Sequence, residues 1–137
     1  MANSLYDLAR QSFLSQNPAL DWDSDTIKVM LIKTAQSFSN AHQFVSDLTG
    51  ANIVQRSGAL ASKTVTNGVA DAADVTFSAV TAGSTVTLIV YKDTGSDATS
   101  PLIAWIDTGT NLTGGVATNG GDITVSWDNG ANKIFKL

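Results

Sequence analysis

Apolar and polar residues alternate through much of the second half of this chain, most clearly in residues 120–137, where Ile123, Val125 and Trp127 interleave with Thr124, Ser126 and Asp128. A period of two belongs to a half-buried strand, and Asp128-Asn129-Gly130 supplies residues that tolerate the left-handed backbone of a hairpin turn. The stretch reads as two strands, 122–128 and 133–137, joined by that turn. Termini fray unless a sheet holds them, so Phe135 and Leu137 imply a sheet that is packed there or completed by a neighbouring subunit.

The same pattern organises the rest of the chain. Turn signals at Asn67-Gly68, Ala82-Gly83, Gly95-Ser96, Gly109, Gly114-Gly115 and Asn119-Gly120 separate candidate strands at 61–66, 74–80, 85–92 and 101–107. Residues 26–34 are apolar on both faces, which predicts a strand that is central or covered. Helical spacing occurs near the start, where Leu5, Leu8, Ala9 and Phe13 recur at intervals of three and four and Ser4 with Asp7 resembles a capping pair. This predicts a helix over 3–14 that Asn17-Pro18 stops. A short second helix is possible over 40–48, with Phe44, Val45 and Leu48 inward and Gly50 ending it. The expected fold is mainly β, an antiparallel sandwich or small barrel with one N-terminal helix. It forms a single domain over 1–137, with the helical part in 1–16 and the β core in 26–137.

Composition narrows the function classes. All 12 acidic residues are Asp and Glu is absent, a bias toward turns and away from helices. There is no cysteine, so disulfides, thiolate metal sites and a thiol nucleophile are excluded. The net charge of −4 and the isolation of Arg10 and Arg56 argue against a nucleic-acid surface. No apolar run approaches the roughly 20 residues of a membrane span, and the N-terminus lacks the pattern of a secretory leader, so a soluble protein with no membrane partner is expected.

Candidate chemistry is sparse. Asp21, Asp23 and Asp25 alternate as at the start of a calcium loop, but Thr26 stands where that motif needs Gly and Ile32 where it needs Glu, so the segment reads as a polar lead-in to the first long strand. His42 is the single histidine and has no partner that spacing identifies. No two Asp residues stand out as a hydrolytic pair, and the glycines form no phosphate cradle. Asn111-Leu112-Thr113 matches a glycosylation acceptor only by chance-level pattern. Trp105 and Trp127 keep step with aliphatic neighbours and read as core. Trp22, in a polar loop, is the aromatic expected to meet a partner. No enzyme activity, cofactor or metal is expected.

The segments GALASKTVTNGVADAADVTFSAVTAG, LIVYKDTGSDATSPLIAWID and NGGDITVSWDNGANKIFKL, with the opening NSLYDLARQSFL and the WDSDTIKVMLI strand, resemble small structural proteins of tailed-bacteriophage virions, including capsid decoration or cement proteins. That resemblance spans nearly the whole chain. It implies a protein made in the host cytoplasm and carried on the virion head surface, where it stabilises the lattice of the major capsid protein as a homo-oligomer, with a trimer the first guess. The alternative it leaves is a tail, neck or head-fibre component with a glycan- or receptor-binding role. Leu5, Tyr6, Phe13, Trp22, Phe135 and Leu137 are the candidate partner contacts.

Overall fold

In the computed structural model, which describes residues 3–109 and 111–137, the chain runs through β1 (Ser4–Leu5), α1 (Asp7–Ser15), β2 (Ile27–Lys33), β3 (Ile53–Arg56), β4 (Thr64–Thr66) and β5 (Val69–Asp71). It continues through β6 (Val75–Phe77), β7 (Thr85–Lys92), β8 (Leu102–Ile106), β9 (Val116–Ala117), β10 (Ile123–Val125) and β11 (Phe135–Lys136). Every strand pairing among the described residues is antiparallel, and the chain adopts the expected mainly β fold with one N-terminal helix.

The segment that is apolar on both faces becomes the middle of the main sheet, whose order is β1-β8-β7-β2-β3, with β9 pairing the start of β7. Side chains alternate across a strand, so the register sorts them. Leu31, Leu88 and Ile106 stand side by side on one face, and Met30, Ile89 and Trp105 on the other. Ile27, Val29, Met30, Ile32, Ile89 and Ile103 are fully buried. At about 1.5–3 kcal/mol for each such side chain, this double-sided burial is the main source of stability. On the Trp105 face lies Phe38, whose ring centroid is 5.9 Å from that of Trp105 and 5.0 Å from that of Tyr6. The Leu31 face looks toward two smaller sheets, β11-β5-β4 and β10-β6, across a cleft of about 1040 Å³ that Val125 and Trp127 also line.

Four expectations are corrected. The C-terminal strands do not pair with each other: β10 pairs with β6 and β11 with β5. Between them, residues 126–134 make an excursion fixed by Trp127, whose backbone N–H donates to Asp74 Oδ1 at 2.9 Å and whose indole Nε1–H donates to the Ala73 carbonyl at 3.1 Å. The Asp128-Asn129-Gly130 turn lies inside that excursion, closed by the Gly130 N–H donating to Asp128 Oδ1. Its chemistry is that of a turn, but the flanking strands find longer-range partners.

The helix begins at Asp7 rather than at residue 3, because Ser4 and Leu5 pair as a strand with Trp105 and Ala104. Ser4 is therefore no cap. Tyr6 is the extended residue before the helix and makes no side-chain cap, and Gln16, in the left-handed region at φ 56°, ends it by donating its N–H to the Ser12 carbonyl. Over 40–48 the expected helical turn is a single 3-10 turn, Val45–Asp47, and Gly50 does not end it but opens a second 3-10 turn, Gly50–Asn52. Besides β1, three strands, β3, β5 and β9, fall where none was expected, and all are four residues or shorter.

The first 3-10 turn is held by Asp47, whose Oδ2 accepts the Gln43 and Phe44 N–H groups at 2.8 and 2.9 Å. These donors favour the charged form and hold its carboxyl below the usual carboxylate range, the Phe44 donor most. Asp47→Ala is expected to cost about 1 kcal/mol in urea unfolding at neutral pH. Since the folded value is the lower one, the stabilisation is complete above about pH 4–5 and disappears as pH falls through the depressed value. The difference between wild type and Asp47→Ala should therefore vanish in strong acid.

Candidate functional site

The exit of α1, the polar lead-in, the β4–β5 hairpin and β11 meet around a groove of about 330 Å³. Its position follows from local chemistry. After the left-handed turn at Gln16, that side chain's Nε2 donates to the Phe13 carbonyl at 3.2 Å and the Leu20 carbonyl at 3.1 Å, folding the lead-in back under the helix. Leu20 and Trp22 are buried as a result. Trp22 donates Nε1–H to the Asp71 carbonyl at 3.0 Å and meets the ring of Phe135 edge-on, centroids 5.2 Å apart. Phe13 closes the cluster from the helix side, 6.0 Å from Phe135.

Of the six expected partner contacts, four come together here: Phe13, Trp22, Phe135 and Leu137 all line the groove. They are not equally available. Trp22 is 3% exposed and forms the floor, so the polar loop that carries it does not present it to a partner; Leu137 is 54% exposed. Leu5 and Tyr6 lie elsewhere. Leu5 is buried in β1 beside Ala104, and Tyr6 is wholly enclosed under Phe38, where burial pushes its phenol well above its ordinary pKa. Both belong to the core because the chain enters as an edge strand and not as a helix stripe. The groove also contains Val65, 51% exposed on β4, which no sequence pattern singles out, and Asp21 and Asp23 of the polar lead-in, which were not expected at a contact surface. Val65 was detectable in principle as the one aliphatic residue in Thr64-Val65-Thr66-Asn67, where alternation alone does not show which face is open. Leu14, near the end of α1, is 85% exposed and does not line the groove.

The acidic lead-in is a closed turn. Asp25 Oδ2 accepts the Asp21 N–H at 2.8 Å and pairs with Lys92 Nζ at 3.0 Å, and Lys63 Nζ donates to the Asp25 carbonyl. The carboxyls of Asp21 and Asp23 are neighbours on this turn. That proximity holds Asp21 below the usual range, with help from Ser24, and raises Asp23, to which the Asp21 charge also contributes. Among the described residues no group of three or more His, Cys, Asp or Glu could hold a metal ion.

A second charged cluster is internally paired. Arg56 forks onto Asp97 at 2.7 and 2.9 Å and lies over the Tyr91 ring, and Lys28 Nζ meets Asp93 Oδ2 at 2.6 Å. The hydrogen bonds from these cations hold the Asp97 and Asp93 carboxyls below the usual range. This cluster ties residues 93–97 to the main sheet. Trp105 and Trp127 are core residues as expected, and Tyr91 is equally buried, so none of the three tryptophans or two tyrosines offers a free face for a sugar ring.

No helix among the described residues is long and apolar enough to cross a membrane. No protein-family model matches the chain, and no curated protein matches it.

Proposed function

We propose that this chain is a decoration or cement protein of a tailed-bacteriophage head, a non-catalytic component that binds the lattice of the major capsid protein. The resemblance of its strand segments to phage virion proteins motivates the reading. The observation that carries it is the groove, where aromatic and aliphatic side chains meet next to exposed Val65 and Leu137. Soluble domains place large apolar residues together at the surface chiefly where something docks. Among the described residues β4 and β11 are the two edges of their sheet, so backbone groups that can add a strand border the groove. A lattice ligand gains from many such modest contacts at once, since each subunit of a small oligomer raises the effective concentration of the next.

Imaging intact particles at subunit resolution tests the proposal. Copies arrayed at capsid junctions in numbers comparable with the capsid protein are expected, with particles stripped of them losing resistance to heat. A few copies at the tail vertex, or none in the particle, would overturn it.

A further inference from the structure

We infer that the groove takes an apolar segment carrying a lysine or arginine, with the cationic group seated on the Asp21–Asp23 pair. This deepens the docking role proposed above and rests on it. Apart from Gln16, Asp21 and Asp23, the groove is lined by apolar side chains and two small residues, and no Lys or Arg is among them. The two acids differ from the third member of their loop, since Asp25 already has Lys92 as its partner. Lys63 acts on Asp23 only through space, its amine being held by the Asp25 carbonyl. Asp21 already accepts from Ser24, whereas its charge disfavours a second charge on Asp23, and a guanidinium or ammonium placed against both carboxyls relieves that repulsion. An arginine is the better match, because its planar fork satisfies two acceptors at once while its stem lies along Phe135 and Val65.

The alternatives fit less well. An acidic occupant would add a third negative charge, and a wholly apolar one would leave the pair uncompensated. A groove of about 330 Å³ is at the small end of ligand sites, which span roughly 300–1,000 Å³, so it accommodates side chains of a segment that continues along the sheet edge.

The test uses two probe peptides, acetyl-Val-Arg-Leu-Arg-Val-amide and its counterpart with Glu for Arg, titrated into isotopically labelled full-length protein. The arginine peptide is expected to shift the Trp22 indole and the Val65 methyl resonances and to bind about tenfold more tightly than the glutamate peptide. Raising the salt to about 0.5 M should narrow that gap. The double variant Asp21→Asn with Asp23→Asn, isosteric and at exposed positions, should bring the two peptides within about twofold of each other. Equal affinities for wild type, or shifts confined to other surfaces, would overturn the inference. Binding to isolated heads separates it from the docking role: if Val65→Asp abolishes head binding while the double Asn variant binds as wild type does, the groove docks without a cation and only this inference falls. If neither variant changes head binding, both fall.

Discussion

Trp127→Ala is expected to lower the free energy of unfolding by about 3–5 kcal/mol, a large part of the roughly 5–15 kcal/mol that a domain of this size possesses. Trp127 is 8% exposed and sits at the point where the C-terminal segment leaves its pairing with β6, before it joins the other small sheet against β5. Its indole donates to the Ala73 carbonyl, its backbone N–H is taken by Asp74, and it lines the cleft that the Leu31 face of the main sheet also lines. Alanine would remove the ring and leave the Ala73 carbonyl without this donor, so cavity and hydrogen-bond losses add. Two companion variants apportion them. Trp127→Phe keeps most of the volume and should cost about 1 kcal/mol for the lost indole donor, plus a packing term. Asp74→Ala should cost about 1–2 kcal/mol, since it leaves only the backbone N–H of residue 127 in need of water. Urea unfolding followed by circular dichroism measures all three; a loss below about 1 kcal/mol for Trp127→Ala would mean that the excursion is not anchored by this residue.

That residue also marks where the chain was legible and where it was not. Alternation identified Ile123, Val125 and Trp127 as facing inward, and they do, since each is at least partly buried in the core. Alternation says nothing of which strand lies alongside, and the nearest candidate in sequence, 133–137, was the wrong one. A local turn signal such as Asp128-Asn129-Gly130 is necessary for a hairpin but does not enforce one when Asp74 and Ala73 supply stronger long-range partners. The central strand was readable for the opposite reason: seven residues apolar on both faces, Ile27 to Lys33 with only the lysines interrupting, have few places to go except between two other strands. At the N-terminus, Leu5 satisfies helical spacing and strand pairing equally, and the pairing with Ala104 prevails because β8 would otherwise be an unpaired edge there. The candidate site was half visible. Phe13, Phe135 and Leu137 were apolar residues at the end of a helix or the edge of a sheet, and such positions are where surface apolar groups collect. Trp22 misled, because a polar loop can still tuck its one aromatic inward when a carbonyl such as that of Asp71 is there to receive the indole N–H.

Gly115→Ala is expected to cost about 2–5 kcal/mol, far more than the same change one residue earlier. Gly115 has φ +88°, and a Cβ built on it would lie 2.6 Å from Thr85 Cγ2, 2.8 Å from Thr34 Cγ2 and 3.2 Å from the Val86 carbonyl oxygen. The left-handed backbone alone costs an L-residue about 1–2 kcal/mol. The rest comes from overpacking, about 1–3 kcal/mol, because both threonines are β-branched and stiff at χ1 while the third neighbour is main chain of β7. Gly114 isolates the first contribution: its φ is +83°, yet nothing lies within 4 Å of a Cβ there, so Gly114→Ala should cost only about 1–2 kcal/mol. The difference between the two variants measures how closely residues 114–117 are drawn against the ends of β2 and β7, where Thr34 donates its N–H to the Thr85 carbonyl at 2.9 Å and β9 pairs with Thr85 and Val86. If the approach is real, Gly115→Ala should also speed hydrogen exchange at the amides of β9 while leaving the centre of β2 protected, because moving the chain outward breaks the short pairing first. Equal losses from both glycines would show instead that the Thr85 and Thr34 methyl groups turn aside, and that β9 is held by its hydrogen bonds alone.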